Sequence, residues 1–204
     1  MVKNNFDPLA EVYDVLKKIW FGNTLDLASV RFVGEIPSDD ELLIVGGGTG
    51  SILDKCSHVK CIDYVDQSAH MIRKARRRRD QGMRFYPVDF MEFLSERKYS
   101  KILLPFFLDV FDEKKLPEVI KKVKGHLKPG GSLLVSDFED TGSSFQRALI
   151  RFMYYFFRKI ANLEGRKLQP IHEILLQAGF IEKKVKFYRQ GMIFSRLYQN
   201  SETL

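Results

Sequence analysis

Residues Gly46, Gly47, Gly48, Thr49 and Gly50 present main chain where most sequences would present side chains. Two carboxylates follow, Asp66 and Asp89, each closing a short apolar run. Glycine permits backbone angles closed to other residues and lets a ligand touch the main chain. A carboxylate accepts hydrogen bonds from paired ribose hydroxyls or from an adenine amino group. The three features together suit a ligand built on a nucleoside. Asp66, with Gln67 beside it, is placed to take the ribose. Asp63 competes for that role, but it falls inside the preceding apolar run. Asp89 suits the adenine amino group, with Phe90 next to it to cover the ring. The dinucleotide fingerprint G-x-G-x-x-G or G-x-G-x-x-A does not fit. Counted from Gly46 its third position is Ser51, and counted from Gly48 it is Leu53. The pattern present is G-x-G-x-G, at Gly46, Gly48 and Gly50.

Short apolar runs alternating with amphipathic segments must position these residues, an arrangement that predicts an α/β fold with a mostly parallel sheet. "ELLIV" is read as the first strand and "SILDKC" as the opening of a helix after the glycines. "HVKCIDYV" is the second strand. "DQSAHMIRKARRRR" is a helix capped by Asp66 or Ser68. "MRFYPV" is the third strand, and "KYSKILLPFF" contains the fourth. "EKKLPEVIKKVKGHL" is a helix ending at the Pro-Gly turn "KPGG", and "SLLVSDF" is the fifth strand. "IHEILLQAGF" is a helix stopped by Gly179. "IEKKVKFY" and "MIFSRLYQ" form a hairpin about "RQG".

The chain has 204 residues, 45% of them hydrophobic and 29% charged, which suits one domain with a sizeable core. We read residues 1–204 as a single domain. Residues 1–37 form a helical cap, 38–137 the core, 138–170 an inserted lid, and 171–204 the last helix and hairpin. No apolar run is long enough to span a bilayer, and the first residues lack a signal-peptide pattern, so a cytoplasmic protein is expected. The net charge of +7 is concentrated in "RKARRRR", read as a solvated helix face in preference to a polyanion site. Cys56 and Cys61 flank His58, but a zinc site needs a fourth ligand. Cys61 is read as a small buried hydrophobe on the second strand, and no metal is expected.

In order and spacing, "LLIVGGGTG", "DQSAHMIRKAR", "VDF", "YSKILLPFFLDVF" and "HLKPGGSLLVSDF" resemble the class I S-adenosylmethionine-dependent methyltransferases. So does the closing "LLQAGFIEKKVKFY…MIFSRLY", and the resemblance covers residues 41–199. It implies a Rossmann-like, mostly parallel seven-stranded sheet with a C-terminal antiparallel hairpin and helices on both faces. It also implies S-adenosylmethionine as cofactor, held by Gly46, Gly47, Gly48, Gly50, Asp66, Gln67, Asp89, Phe90 and Pro105. Within the family, "FDPLAEVYDVL" and "ANLEGRKLQPIHEILLQAGF" look most like the quinone and phospholipid branch. The sequence departs from the family in two places. Ile44 stands where the family usually carries an acid two residues before the first glycine, and Ser100 stands where the fourth strand commonly begins with one. Where many relatives place a polar residue facing the methyl group, this chain has Pro105, followed by Phe106 and Phe107. The "NPPY" signature of base N-methylation is absent.

The methyl group of such a cofactor is already activated, so a protein base is optional. Four residues are candidates for that role. Asp109 follows the fourth strand, Asp137 ends the fifth, His172 begins the helix after the insert, and Tyr13 lies in the cap. Each also has an ordinary structural use as a helix cap, a loop acid, a surface histidine or a core aromatic. The insert "FQRALIRFMYYFFRKIANLEG" carries six aromatics between Phe145 and Phe157, interleaved with basic residues, and reads as a greasy lid. The expected acceptor is therefore small and lipophilic, such as a quinone precursor, a phenol or a lipid, with peripheral membrane contact. A cofactor-binding regulatory protein without turnover is the alternative. Methylation of RNA ranks last, because no separate RNA-binding module is visible.

Overall fold

In the computed structural model, which describes residues 18–144, 146–152 and 168–201, the first strand shows why the apolar runs are continuous. Strand β1 (Glu41–Val45) buries Leu42, Leu43, Ile44 and Val45 almost completely. Leu42 and Ile44 face one layer, with Val59, Ile72 and Ala75. Leu43 and Val45 face the other, with Val119, Ile120 and Val123. A strand covered on both faces has no polar side to alternate with.

Around β1 lie β2 (Cys61–Val65), β3 (Met83–Tyr86), β4 (Tyr99–Pro105) and β5 (Leu127–Phe138), all parallel. Strands β6 (Phe180–Tyr188) and β7 (Ile193–Asn200) complete a seven-stranded sheet in the order β3-β2-β1-β4-β5-β7-β6. Strand β7 runs antiparallel to both of its neighbours. The mixed sheet is the one the sequence pattern predicts. The order reverses at β1, which puts a ligand crevice at the carboxyl ends of β1, β2 and β4.

Four helices appear among the described residues with defined ends. They are α1 (Thr24–Ser29), α2 (Ala69–Arg78), α3 (Leu116–His126) and α4 (Ile171–Gln177). Ser68 caps α2, its hydroxyl accepting from the Met71 N–H at 3.1 Å. Three expectations need correction. "SILDKC" forms a five-residue 3-10 turn, Ser51–Lys55, instead of opening an α-helix. Its start is fixed by Gly50 at φ 80°, and Leu53 N–H already closes back on Gly50 O. "KPGG" belongs to β5, which begins directly at the end of α3, and the irregularity appears as a register shift between Tyr99 and Lys101. Cys56 is the buried cysteine, its thiol pushed up to about 12 by burial, while Cys61 is only half-buried.

The arginine run is largely the solvated face expected, with Arg73, Arg76 and Arg77 exposed, but its last two side chains also make contacts. Arg78 donates to Thr49 O and to Asp54. Arg79 donates to Cys56 O and Val59 O, both at 2.6 Å. These two side chains staple the turn that follows β1 onto the end of α2. Hydrogen bonds to a charged donor are worth roughly 1.5–3 kcal/mol each, and part of this pair is open to solvent. Arg79→Ala should therefore cost about 2–3 kcal/mol of stability. Urea unfolding monitored by circular dichroism measures it, and a loss within about 0.5 kcal/mol of zero would show that the staple is ornamental.

Helix α1 is short, with basic residues absent from its last turn, and its position comes from its neighbours. Ser136 of β5 and Ser195 of β7 both donate to Ala28 O, at 2.9 and 2.7 Å. Arg189, in the β6–β7 turn, donates to Phe21 O and Thr24 Oγ1. That turn holds Arg189 and Gln190 at φ 51° and 55°, left-handed angles that non-glycine residues adopt at a cost. Phe21, Leu25 and Ala28 pack with Phe138, Ile150, Met192 and Ile193. The hairpin and two serine hydroxyls thus fix α1 over the carboxyl edge of the sheet.

Candidate cofactor site

The glycine loop is shaped by the left-handed angles of Gly46, Gly48 and Gly50, at φ 71°, 62° and 80°. These are the three positions of the G-x-G-x-G pattern. Gly47 is constrained differently: a Cβ there would lie 2.3 Å from Tyr64 Oη. Tyr64 is fully buried and donates to Gly48 O at 3.1 Å. At Gly46 a Cβ would meet the Phe107 ring at 2.7 Å. Much of the loop's need for glycine thus comes from the protein's own packing.

Asp66 follows β2 directly. One carboxylate oxygen accepts from Gly48 N–H at 3.0 Å, and the other accepts from Ser68 N–H at 2.9 Å. The same side chain therefore braces the glycine loop and the start of α2. A carboxylate has about four acceptor positions, so bracing is compatible with binding a pair of hydroxyls. Gln67 is half-buried beside it. Asp63 is committed elsewhere. It is 1% exposed, takes both Arg84 donors at 2.7 Å and accepts from Tyr99 Oη at 2.6 Å.

Asp89 follows β3 and accepts from Met91 N–H at 2.8 Å, while its carbonyl accepts from Glu92 and Phe93. It starts a tight turn and is half-buried. Phe90 is 3% exposed and packs against Phe93, Phe107 and His126. Its ring is a core element behind Asp89.

On the β4 side of the loop lies a pocket lined by Leu25, Asp26 and Ser29 of α1, the glycine loop, Pro105 and Phe106. Phe106 sits at φ 52°, an uncommon conformation for a bulky residue. Its N–H donates to Ser136 O at 2.7 Å, and its ring packs on Phe138. Asp26 is the feature that sequence reasoning missed. It accepts from Ser51 Oγ at 3.0 Å and lies 20 positions before the glycines. The apolar α1 stripe that carries it gave no signal of chemistry.

The other candidates lie as follows. Asp137 is 0% exposed and accepts from the N–H groups of Leu108, Asp109 and Phe138. Two of those bonds tie it to the turn after β4. Asp109, 6% exposed, is buried beside it. His172 contacts Tyr198 Oη at 3.0 Å and Glu182 at 3.7 Å. Tyr198 is paired with Leu133, whereas the site edge of β5 is at Asp137 and Phe138. His172 is therefore at the opposite end of the sheet from the glycine loop. Tyr13 lies outside the described residues. Ile44 is a core side chain, and Ser100 ties the starts of β1 and β4 through Glu41.

The Asp137 carboxyl is held well above the usual 3.8, first by burial and then by Asp109. The folded state therefore holds that proton more tightly than the unfolded chain does. This contribution to stability is complete below the unfolded value and is lost as pH rises through the raised folded value. Asp109→Asn removes the like charge, so it should shrink that loss and end it at lower pH. Melting temperatures across roughly pH 4 to 8 test this, and parallel curves for both proteins would refute it.

Residues 42–131, which contain the glycine loop, Asp66, Asp89 and the turn after β4, match the Methyltransf_25 family, described as a methyltransferase domain. In sequence the chain is similar to carboxy-S-adenosyl-L-methionine synthase of Citrobacter koseri, 26% identical over 166 residues. That alignment covers 76% of this chain and 66% of the relative. In structure it is similar to the N-methyltransferase NodS of Bradyrhizobium japonicum WM9 in complex with S-adenosyl-L-homocysteine. The identity there is 16%, with 88% of this chain and 85% of that chain covered, and the TM-score is 0.65. It is also similar to a chain of the complex between the Haloferax volcanii Trm112 methyltransferase activator and the putative methyltransferase. Here identity is 12%, coverage 99% and 100%, and the TM-score 0.74. At these identities the solved structures establish a shared fold. Sheet order and solved structures together give the chain the Rossmann-like methyltransferase fold, and the glycine loop lies inside the segment that matches a methyltransferase-domain family.

Proposed function

We propose that this chain transfers a methyl group from S-adenosylmethionine to a small, lipophilic acceptor, of the quinone-precursor, phenol or lipid class. One observation carries the cofactor half. The glycine loop has the Asp66 carboxylate bonded to Gly48 N–H on its β2 side and a pocket reaching Pro105 and Phe106 on its β4 side. A nucleoside laid over the loop would meet Asp66, Gln67 and Asp89. Its sulfur substituents would then fall towards Pro105 and Phe106. S-adenosylmethionine supplies an electrophilic methyl group on a sulfonium. The chain's own work is to hold donor and acceptor in line and to exclude water. Pro105 and Phe106 give that end an apolar wall, and the Asp137 clamp holds the turn that follows them.

Support for a lipophilic acceptor comes from the cap and the lid. Trp20 meets Phe152 edge to face at 6.1 Å. Phe152 is 55% exposed, and Ile19 and Leu27 are also exposed. Arg151, and Arg147 in its ion pair with Asp140, lie on the same helical stretch as Phe152, 146–152. Apolar side chains accompanied by arginine suit an anionic lipid surface. The other five lid aromatics lie outside the described residues. No described helix is long and apolar enough to cross a membrane, so such contact would be peripheral.

The test is transfer of tritiated methyl from S-adenosylmethionine to fractionated lipid, quinone and phenol extracts. Label in an organic-extractable product is the expected result. Binding of the cofactor without transfer to any fraction would favour a regulatory binding protein instead. Co-sedimentation with anionic vesicles at low salt tests the membrane half, which fails if the protein stays in the supernatant.

A further inference from the structure

Resting on that cofactor reading, we infer that Asp26 is the anionic partner of the cofactor's α-ammonium group, supplied by the cap helix α1. The pocket beside the glycine loop runs from Asp26 and Ser29 to Pro105 and Phe106. Among the described residues lining it, Asp26 is the only carboxylate and none is basic. A ligand with an ammonium group needs a negative or acceptor group at that end, because a cation taken from water into a part-buried pocket without one is costly. Ile44 cannot serve, since its side chain is buried in the core.

Asp26 is also held in place for the task. Ser51 Oγ donates to Asp26 Oδ1 at 3.0 Å, linking α1 to the turn immediately after Gly50. Ser136, Ser195 and Arg189 fix α1 itself. Asp66 and Asp26 thus stand on the two sides of the glycine loop, one at the end of β2 and one over the end of β4. A nucleoside read at Asp66 leaves its amino-acid tail directed to Asp26.

The experiment compares two probes by isothermal titration on the full chain. S-adenosylmethionine carries the ammonium, whereas 5′-methylthioadenosine keeps the nucleoside and thioether and lacks the amino-acid tail. Asp26→Asn should weaken S-adenosylmethionine by about ten- to a hundredfold and leave 5′-methylthioadenosine unchanged. Ser51→Ala, which keeps the carboxylate but frees its orientation, should weaken only the first probe, by a few fold. Equal loss of both probes, or loss of neither, overturns the role of Asp26 while leaving the nucleoside reading standing. Failure of the unaltered protein to bind either probe overturns both.

Discussion

Asp66→Ala should lose at least about a hundredfold in affinity for S-adenosylmethionine while remaining folded. Two effects add. The variant removes an acceptor for ribose hydroxyls, and a hydrogen bond to a charged group is worth roughly 1.5–3 kcal/mol. It also releases Gly48 N–H, which Asp66 holds at 3.0 Å, so the loop loses the brace that fixes its shape. Asp63→Ala provides the contrast. Asp63 is buried in a bidentate pair with Arg84 and a bond from Tyr99. The variant removes these charge-assisted bonds, but Arg84, 40% exposed, can hydrate, so the loss of stability is about 1–3 kcal/mol. That variant should melt below the unaltered protein yet bind normally where folded. Titration calorimetry and thermal melts separate the two. Normal affinity in Asp66→Ala, with lost affinity in Asp63→Ala, would reverse the assignment.

Chemistry that lay on contiguous residues was legible, and chemistry assembled by tertiary contacts was not. The G-x-G-x-G pattern named the three left-handed positions because steric limits on φ act residue by residue. The strands of the parallel core were legible because two-sided burial writes an unbroken apolar run. The β6–β7 hairpin was legible from its turn, although Arg189 and Gln190 carry the left-handed angles alongside Gly191. By contrast, the need for glycine at 47 comes from Tyr64, 17 positions later. Asp26 reaches the pocket only because serines on β5 and β7 hold α1 by one carbonyl oxygen. The contacts at the end of the arginine run were hidden for the same reason. Its composition suggests a solvated face, and only the fold shows that Arg78 and Arg79 end on carbonyls of the preceding loop. Residue type and strand position carry no information on which way the hydrogen bonds of the Asp137 carboxylate run. They carry equally little on which end of the sheet a helix start occupies.

Gly50→Ala should be the most disruptive single-methyl change in the site. Two costs combine. Gly50 sits at φ 80°, and an L-residue in left-handed backbone costs roughly 1–2 kcal/mol. The added Cβ would also lie 2.7 Å from Ala75 Cα and 2.8 Å from Ala75 Cβ. Ala75 is 0% exposed in the middle of α2, so the conflict is with a helix backbone, not with a side chain that can turn aside. Overpacking of that kind costs about 1–3 kcal/mol. The sum is about 2–5 kcal/mol, read as a shift in the urea midpoint without a change in slope. The loop and α2 are also the two elements joined by Asp66, so forcing them apart should weaken cofactor binding in the fraction that folds. A second-site change distinguishes backbone conflict from simple crowding. Ala75→Gly removes the methyl group but not the closer Cα, and it adds the cost of glycine in a helix, roughly 1 kcal/mol. The double variant should therefore be no more stable than Gly50→Ala alone. Recovery of most of the lost stability would show that the two methyl groups were the whole conflict, and that the loop tolerates a side chain at Gly50 once α2 makes room.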